Sequence, residues 1–138
     1  MQGSLPWSGR RPPYGFSPDG VATWLPQPAD WADLCVARQV VDQTSMLSLH
    51  RTLIHLRHEE NALQGTDFHW LDAPDGVLAF VRGDLMCAVN FSSPVPLPDA
   101  AEVLVSSEPT NDRRLPTDTA VIARIPNGTE CWKEVTHI

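Results

Sequence analysis

The sequence predicts an α+β fold: an irregular aromatic N-terminal arm, one long amphipathic helix, and a C-terminal antiparallel β-sheet or partial β-sandwich. Three observations support this prediction. Residues 1–38 show little periodicity, and apolar residues then recur at helical spacing between residues 44 and 60. From residue 66 the apolar side chains alternate with a period of two, which is typical of strands. We therefore predict two domains, residues 1–65 and residues 66–138.

The N-terminal arm carries many aromatic side chains among prolines and glycines. Disordered segments are poor in aromatic residues, so we expect an ordered loop that wraps another surface. Asp30 is a suitable N-cap, and it predicts a short helix over Ala32–Gln39. The aromatic residues of the arm are Trp7, Tyr14, Phe16, Trp24 and Trp31.

The long helix is predicted to run from about Thr44 to Glu60. Either Asp42 or Thr44 is expected to cap it, because their side-chain oxygens can accept hydrogen bonds from the first turn. Asn61 and Gly65 are stop signals at its end. The apolar stripe of this helix consists of Met46, Leu49, Leu53 and Leu56, and it is broadened by Leu47 and Ile54.

Short segments with alternating side chains predict an antiparallel meander after residue 66. Pro74-Asp75-Gly76 and Gly83-Asp84 supply turns between the first strands. Prolines confine Pro94–Pro98 to an edge or a loop, because proline cannot donate to a sheet ladder. Asn127-Gly128 predicts a hairpin between the last two strands. The predicted strands are Asp67–Leu71, Val77–Arg82, Leu85–Phe91, Ala101–Ser106, Thr119–Ile125 and Glu130–Val135.

The net charge of the chain excludes some classes of binding partner. The formal net charge is −7 over 138 residues, which argues against binding phosphates of nucleic acid or an anionic lipid surface. We therefore expect no nucleic-acid partner and no membrane partner. The N-terminus lacks a basic region followed by an apolar run, and no apolar stretch is long enough to span a bilayer. We expect a cytoplasmic protein.

The cysteines Cys35, Cys87 and Cys131 are odd in number and form no CxxC pair. They are expected to be reduced thiols, and a zinc site has almost no support. Asn90-Phe91-Ser92 and Asn127-Gly128-Thr129 fit the glycosylation pattern, and we interpret both as chance matches in a protein that is not secreted.

Few side chains have the spacing of a catalytic or metal-binding site. His55, His58 and Glu59 share a helix face and could bind a metal, but a solvated polar face explains them better. We therefore assign no metal and no cofactor. Most acidic residues lie in predicted turns, and Asp30 and Asp42 look like helix caps. No nucleophile elbow, phosphate-binding glycine loop or dinucleotide motif is present, so no catalytic residue is assigned.

The aromatic residues of the arm have two interpretations. Trp7, Tyr14, Phe16 and Trp24 could form a platform on which the apolar face of a pyranose stacks. Alternatively they anchor the irregular arm by burying large apolar area, which we favour.

A series of short motifs runs along nearly the whole chain. These motifs are LPWSG at Leu5–Gly9, GFS at Gly15–Ser17, WLPQPADWADL at Trp24–Leu34, Gln39 with Asp42 and Ser45, HRTLIHLR at His50–Arg57, DGVLAFVRGD at Asp75–Asp84, VNFS at Val89–Ser92, PVPLP at Pro94–Pro98 and LPTDTAV at Leu115–Val121. Taken together and in this order, they resemble the closing section of bacterial α-glucosidases of glycoside hydrolase family thirteen, in the α-amylase superfamily.

The resemblance implies that residues 1–65 are the end of a catalytic barrel, comprising the loop after its last strand and its last helix. Residues 66–138 would then be the C-terminal antiparallel β-domain. The family hydrolyses terminal α-linked glucose from oligosaccharides with retention, using an Asp nucleophile and a Glu acid/base on upstream barrel strands. Family members usually carry Arg-x-Pro before the Pro-Trp, and Gln2-Gly3-Ser4 stands there in this chain.

We therefore expect a C-terminal fragment that is inactive alone, with a structural β-domain and oligosaccharide as a partner only within a full-length parent. Whether the chain counts as an enzyme is left open. The helix must bury its apolar stripe, so we expect it to lie beside the sheet and to leave apolar surface that favours self-association. The alternatives are an interaction protein and a carbohydrate-binding module that uses Trp7, Trp24 or Trp70 as its stacking platform.

Overall fold

A computed structural model describes residues 4–126 and 132–134. The chain forms two compact units, Met1–Thr52 and Leu53–Ile138, whose division falls within the longest helix. The domain boundary at residue 65 remains a prediction. In the described part of the chain, no helix is long and apolar enough to cross a membrane.

Short helices interrupt the arm in the first unit. A 3-10 helix covers Ala29–Ala32, and helix α1 covers Val36–Gln39 with Cys35 at its N-cap position. The prediction that Asp30 is an N-cap is wrong: Pro28 occupies that position, and Asp30 lies in the first turn of the 3-10 helix. Proline fixes its own φ near −65°, so the first helical turn begins directly after Pro28, three residues before the expected start at Ala32.

Tyr14 anchors the arm. Its side chain is buried, and its hydroxyl donates to the backbone oxygens of Pro28 at 2.8 Å and Ala29 at 3.1 Å. Burial raises the pKa of Tyr14, and the nearby Cys35 and Asp30 add to the effect. The anchoring interpretation is thus correct for Tyr14. It is wrong for Phe16 and Trp24, whose side chains are exposed, and holds only in part for Trp7, which is about half exposed.

The long helix, α2, runs over Met46–Glu59, within two residues of the predicted bounds at each end. Its capping residue differs from the prediction. Ser45 Oγ accepts from the backbone N–H of Ser48 at 3.2 Å, and Gln39 Oε1 accepts from that of Leu47 at 3.1 Å. Asp42 instead organises the preceding turn by accepting from Thr44 N at 2.9 Å and Thr44 Oγ1 at 2.7 Å.

The hydrogen bonds from the Thr44 hydroxyl and backbone N–H lower the pKa of Asp42 below its ordinary value of 3.8. A carboxyl with a lowered folded-state pKa stabilises the fold above its unfolded pKa and loses that effect as pH falls. We therefore expect the unfolding midpoint to fall slightly as the pH is lowered from about 5 to about 3. This range brackets the pKa of an Asp side chain in the unfolded chain. Circular dichroism should show a smaller drop in Asp42→Asn, which keeps the acceptor oxygen but does not titrate. Equal drops in both proteins would contradict this prediction.

A short helix, α3 (Asn61–Gln64), follows α2, so Asn61 begins a helix rather than stopping one. Gly65 is its C-cap. The side chain of Gln64 donates to the backbone oxygen of Arg57, which satisfies a carbonyl at the end of α2.

The second unit is built on an antiparallel sheet, which confirms the predicted α+β class. Strands β1, β2 and β3 form the predicted meander, and Trp70 pairs with Phe80 across its first two strands. The order in the main sheet is β5-β7-β3-β2-β1-β8, and β4 pairs with β6 in a separate ribbon. The strands are β1 (His69–Asp72), β2 (Val77–Arg82), β3 (Leu85–Asn90), β4 (Val95–Pro96), β5 (Glu102–Ser106), β6 (Arg114–Leu115), β7 (Thr119–Arg124) and β8 (Lys133–Glu134).

The hairpin predicted between the last two strands is wrong. Strand β8 pairs with β1 through Leu71↔Glu134, whereas β7 lies between β3 and β5. Asn127-Gly128 itself lies outside the described residues, as do parts of the predicted strand Glu130–Val135. A local turn signal gives no information about which distant strand offers a free edge.

One face of the sheet forms the hydrophobic core, and the β4–β6 ribbon supplies residues that pack in it. Leu115 of β6 is fully buried, and Val95 of β4 is also buried. This arrangement is a partial sandwich, because a short second layer packs its apolar side chains with those of the larger sheet. The strand residues buried in this core are Leu71, Ala79, Val81, Met86, Ala88, Val121 and Ala123.

Gly76 allows the turn between β1 and β2 to pack tightly. Its φ is +80°, and a Cβ there would lie 2.5 Å from Ser92 Cβ. We expect Gly76→Ala to destabilise the protein by about 2 kcal/mol, from the left-handed backbone and the forced shift of Ser92. Gly20→Ala is the matched control, because Gly20 has φ +83° and nothing within 4 Å of an added Cβ. Chemical denaturation should show the smaller loss for Gly20→Ala, and equal losses would contradict the steric argument.

Candidate functional site

Trp24 is the most exposed large apolar side chain of the arm, at 96% exposure. It lines a groove of about 290 Å³ within the first unit. Phe16 and Leu25 add apolar surface to the groove, and Ser17 and Gln27 add polar groups. We call this site the Trp24 groove.

Gln27 lines the Trp24 groove, and one of its side-chain atoms is buried without a hydrogen-bond partner among the described residues. Its Nε2 donates to Ser4 Oγ, which fixes the orientation of the amide. Its Oε1 is buried, and no described residue donates to it. A buried carbonyl oxygen without a donor is costly, and its lack of accessible surface keeps this atom out of contact with anything bound in the groove.

The other two candidate tryptophans lie elsewhere in the fold. Trp7 is half exposed, and its backbone N–H donates to Tyr14 O at 2.8 Å, while its carbonyl accepts from Ala37 at 2.9 Å. Trp7 is absent from the lining of the Trp24 groove. The two arm residues therefore do not form one platform.

Trp70 belongs to an aromatic cluster on the second unit. Its ring packs edge-to-face against Phe68 at a centroid distance of 4.9 Å and against Phe80 at 5.8 Å. Phe68 and Phe80 stack at 4.9 Å. Because neighbouring rings cover Trp70, it offers less open ring surface than Trp24, and it is 39% exposed.

The sheet face opposite the core is also rich in apolar side chains. Leu78 on this face is 47% exposed, and its neighbours are only partly buried. Such a surface is typical of a layer that packs against a further element. We call it the outer face, and it comprises Trp70, Leu78, Phe80, Cys87, Val89 and Ile122.

The residues weighed for metal binding make local contacts. His55 Nε2 lies 3.0 Å from Glu59 Oε2, and both side chains are mostly exposed. His50 Nδ1 lies 2.9 Å from the backbone oxygen of Met46. Within residues 4–126 and 132–134, no group of three or more His, Cys, Asp and Glu side chains is placed to hold a metal ion.

Two carboxylates lie close together, but both bind the same arginine and do not face an open site. Arg124 Nη1 donates to Asp84 Oδ2 and Nη2 donates to Glu60 Oε1, both at 2.7 Å. These bonds, that to Asp84 first, raise the pKa of Arg124. The arginine joins strand β7 to the β2–β3 turn and to the end of α2, which is a structural role. A glycosidase pair instead needs carboxylates in contrasting environments around an open substrate site.

The described cysteines are unpaired thiols. Cys35 is buried, and its Sγ lies 3.5 Å from the backbone oxygens of Gly9 and Trp31. Cys87 on the outer face is partly buried, and burial raises the pKa of its thiol. A raised pKa keeps Cys87 protonated and lowers its reactivity. Cys131 lies outside the described residues.

Sequence reasoning missed the roles of Gln27 and Asn90. Asn90 is fully buried, and its Nδ2 lies within hydrogen-bond distance of the backbone oxygens of Ser93, Leu115 and Pro116. Its burial leaves it inaccessible for glycosylation in the folded protein. The VNFS motif was a usable signal, since a polar residue at the end of an apolar strand needs partners.

Comparisons with known proteins agree with the fold. A family model described as a domain of unknown function (DUF3459) matches residues 66–122. A glucan 1,6-alpha-glucosidase from Streptococcus dysgalactiae subsp. equisimilis is 34% identical over 68 residues, which cover 49% of this chain and 12% of that protein.

Two solved structures share the fold over most of the chain. Trehalose-6-phosphate hydrolase from Bacillus licheniformis superposes with a TM-score of 0.64 and 21% identity, covering 86% of this chain and 24% of the hydrolase. Alpha-amylase from H.orenii superposes with a TM-score of 0.56 and 20% identity, covering 88% of this chain and 28% of the amylase. The chain thus spans about a quarter or less of each of these relatives.

The family model and the glucosidase match this chain in sequence, and the two solved structures match it in fold. The predicted resemblance to the closing part of the α-glucosidases is confirmed.

Proposed function

We propose that this chain serves as the C-terminal part of a cytoplasmic α-glucosidase that hydrolyses terminal α-linked glucose from oligosaccharides with retention. The sheet would have a structural role, and the chain alone would be inactive. The observation that carries this proposal is the match to a glucan 1,6-alpha-glucosidase over a small part of its length. Within the described residues, the paired carboxylates Asp84 and Glu60 are occupied by Arg124.

The exposure of the long helix α2 supports the proposal that it packs against another part of the parent enzyme. None of the residues of α2 is buried, and Met46 and Ile54 are 62% and 57% exposed. An amphipathic helix is stabilised mainly by burying its apolar face. We propose that the apolar stripe of α2 packs against the barrel strands of the parent, and that the outer face covers one end of the barrel.

Hydrolysis of p-nitrophenyl α-glucoside tests the proposal. We expect no turnover by the purified chain, because the family's nucleophile and acid/base belong to barrel strands. A full-length parent prepared in the same way is the positive control. Turnover that survives purification to homogeneity and scales with the concentration of the chain would overturn the proposed inactivity.

Self-association is the second proposal for the same apolar stripe. In the absence of a barrel, two copies could cover each other's helices. Size-exclusion chromatography with light scattering should show a concentration-dependent dimer that weakens in Leu49→Gln/Leu56→Gln. The matched control is Arg51→Gln/His58→Gln, which changes exposed residues of the same helix. A monomer at all concentrations would count against self-association and leave the structural role in the parent untouched.

A carbohydrate-binding module is the alternative function. One specific observation favours it: Trp24 is almost fully exposed and lies at a groove. Trp7 and Trp70 remain weaker candidates for the stacking platform, because Trp7 lies apart from this groove and Trp70 is covered by neighbouring rings.

A further inference from the structure

We propose that a cavity in the N-terminal arm binds a small phosphate-bearing anion, whose phosphate group is held by the guanidinium groups of Arg10 and Arg11. The cavity has a volume of about 610 Å³ and lies wholly within the first unit. We call it the Arg10–Arg11 cavity. The proposal requires neither a barrel nor hydrolytic activity, so it goes beyond the proposed function and does not depend on it.

The loop of residues 8–15, which forms most of the cavity wall, is closed at its base by backbone hydrogen bonds. Ser8 N–H donates to the backbone oxygen of Tyr14 at 3.0 Å, and Tyr14 N–H donates to that of Arg11 at 3.0 Å. The buried side chain of Tyr14 anchors this base in the arm. Arg10 and Arg11 lie at the exposed tip of the loop, so the fold positions two neighbouring cations at the cavity.

The two guanidinium groups have no acceptor in the described part of the chain, which is the first argument for a ligand. Arg51 and Arg57 share this property, but they lie on α2 and do not line the cavity. Guanidinium groups match phosphate oxygens in geometry and form strong charge-assisted hydrogen bonds with them. The arginines whose side chains do donate to a described carboxylate or backbone oxygen are Arg38, Arg82, Arg113, Arg114 and Arg124.

Backbone donors beside the arginines are the second argument. The N–H groups of Gly9, Arg10 and Arg11 have no acceptor among the described residues, and all three residues line the cavity. Gly9 has a φ of +84°. Successive free N–H groups in a turn of this kind form concavities that bind anions. The sequence contains no phosphate-binding glycine motif, so this combination of donors becomes visible only in the folded loop.

The shape of the cavity is the third argument. Gly15 has a φ of +70°, and an added Cβ there would collide with Ser8 Oγ, so a side chain at this position would disturb the wall. The volume of about 610 Å³ falls within the roughly 300–1,000 Å³ typical of small-molecule sites. A phosphate group fills only part of this space, which leaves room for a small organic group attached to it.

The charges of the chain limit the size and charge of the ligand. The net charge of −7 repels large polyanions, whereas a single phosphate responds mainly to the two nearby arginines. Asp19 also lines the cavity, and no described ion pair joins it to either arginine. Its carboxylate opposes further negative charge. The cavity therefore fits a small anion with one phosphate group better than a polyphosphate or a nucleic acid.

Titration of the ¹⁵N-labelled chain with inorganic phosphate and with glycerol 3-phosphate tests the proposal by NMR. We expect both anions to shift the backbone N–H signals of Gly9, Arg10 and Arg11 saturably. The titration is run in about 0.15 M sodium chloride, which screens exposed charges beyond roughly 8 Å. Acetate at equal ionic strength should cause much smaller shifts, because it offers fewer oxygens to the two arginines.

A lipid headgroup is the other source of the same phosphate chemistry, and a sedimentation experiment distinguishes it. Vesicles of phosphatidylcholine with phosphatidic acid should sediment no more of the chain than vesicles of phosphatidylcholine alone. The reason is that the net charge of −7 repels an extended anionic surface.

Variants of the cavity test the role of each charge. Arg10→Gln/Arg11→Gln should weaken phosphate binding at least about tenfold, as for the loss of charged hydrogen bonds. Arg51→Gln/Arg57→Gln is the matched control, because it also removes two exposed positive charges and should bind as wild type does. Asp19→Asn removes the opposing carboxylate and should tighten binding by about two- to fivefold. Unchanged backbone signals outside the loop would confirm that each variant is folded.

The outcomes separate this inference from the proposed function. The absence of saturable shifts, an equal response to acetate, or equal losses in the two double variants would overturn it. Sedimentation with phosphatidic acid vesicles without a response to the soluble phosphates would also overturn it. Tighter binding by Asp19→Asn together with a loss confined to Arg10→Gln/Arg11→Gln would support it. None of these results depends on whether the chain or its parent hydrolyses p-nitrophenyl α-glucoside.

Discussion

Asn90→Asp is expected to destabilise the protein by about 4 kcal/mol, enough to unfold a marginally stable domain. The side chain of Asn90 is fully buried at the end of β3. Its Nδ2 lies 3.0 Å from each of the backbone oxygens of Leu115 and Pro116. A carboxylate at this position would direct negative charge at these acceptors, in a site from which water is excluded.

The acceptor side of Asn90 would be less affected. Oδ1 accepts from the backbone N–H of Ser92 at 2.9 Å and from its hydroxyl at 3.0 Å, and an Asp could keep both bonds. The loss therefore arises on the donor side of Asn90, where two of the three bonds reach the segment that carries β6. This segment supplies the second layer of the partial sandwich, so Asn90 joins the two layers.

Urea denaturation followed by circular dichroism would measure the loss. Asn111→Asp is the matched control, because Asn111 is exposed and should change stability by less than about 0.5 kcal/mol. The buried carboxyl of Asn90→Asp should have a raised folded-state pKa, so its destabilisation should be partly relieved as pH falls. A loss at Asn90 no larger than at Asn111, with no dependence on pH, would contradict this role.

The periodic parts of the fold were predictable from the sequence. The bounds of α2, β2 and β3 agree with the prediction within two residues, because apolar period and turn residues such as Gly76 and Gly83 are local signals. Caps and pairings were less predictable. Ser45 and Gln39 cap α2 in place of Asp42, because a cap depends on where the chain turns and not only on residue type.

The candidate site, like the caps and strand pairings, was only partly predictable from the sequence. The sequence pointed to tryptophans, but it gave no means of telling which ring is open, and Trp7, Trp24 and Trp70 have different surroundings. Gln27 was not singled out, because an unpartnered acceptor is a property of three-dimensional packing. Pairing of β8 with β1 joins residues about sixty positions apart, and such a choice of sheet edge depends on topology rather than on a local turn signal.

Leu115→Ala is expected to lower the free energy of unfolding by about 2–5 kcal/mol. Leu115 is fully buried in the core face, where it packs from the short strand β6. Removing its side chain leaves a cavity that closes only if the ribbon of β4 and β6 moves toward the sheet. Thermal unfolding of the purified variant would measure the loss.

Leu78→Ala makes the same chemical change on the outer face, where Leu78 is 47% exposed. In the isolated chain we expect a loss below about 1 kcal/mol, since little area is withdrawn from water. The comparison also tests what covers the outer face. If a second copy or a parental barrel packs there, Leu78→Ala should weaken that assembly while leaving the unfolding of the isolated chain nearly unchanged. Similar losses for Leu78→Ala and Leu115→Ala in a monomer would mean that the sheet buries both faces within this chain, and the structural role proposed for the outer face would fail.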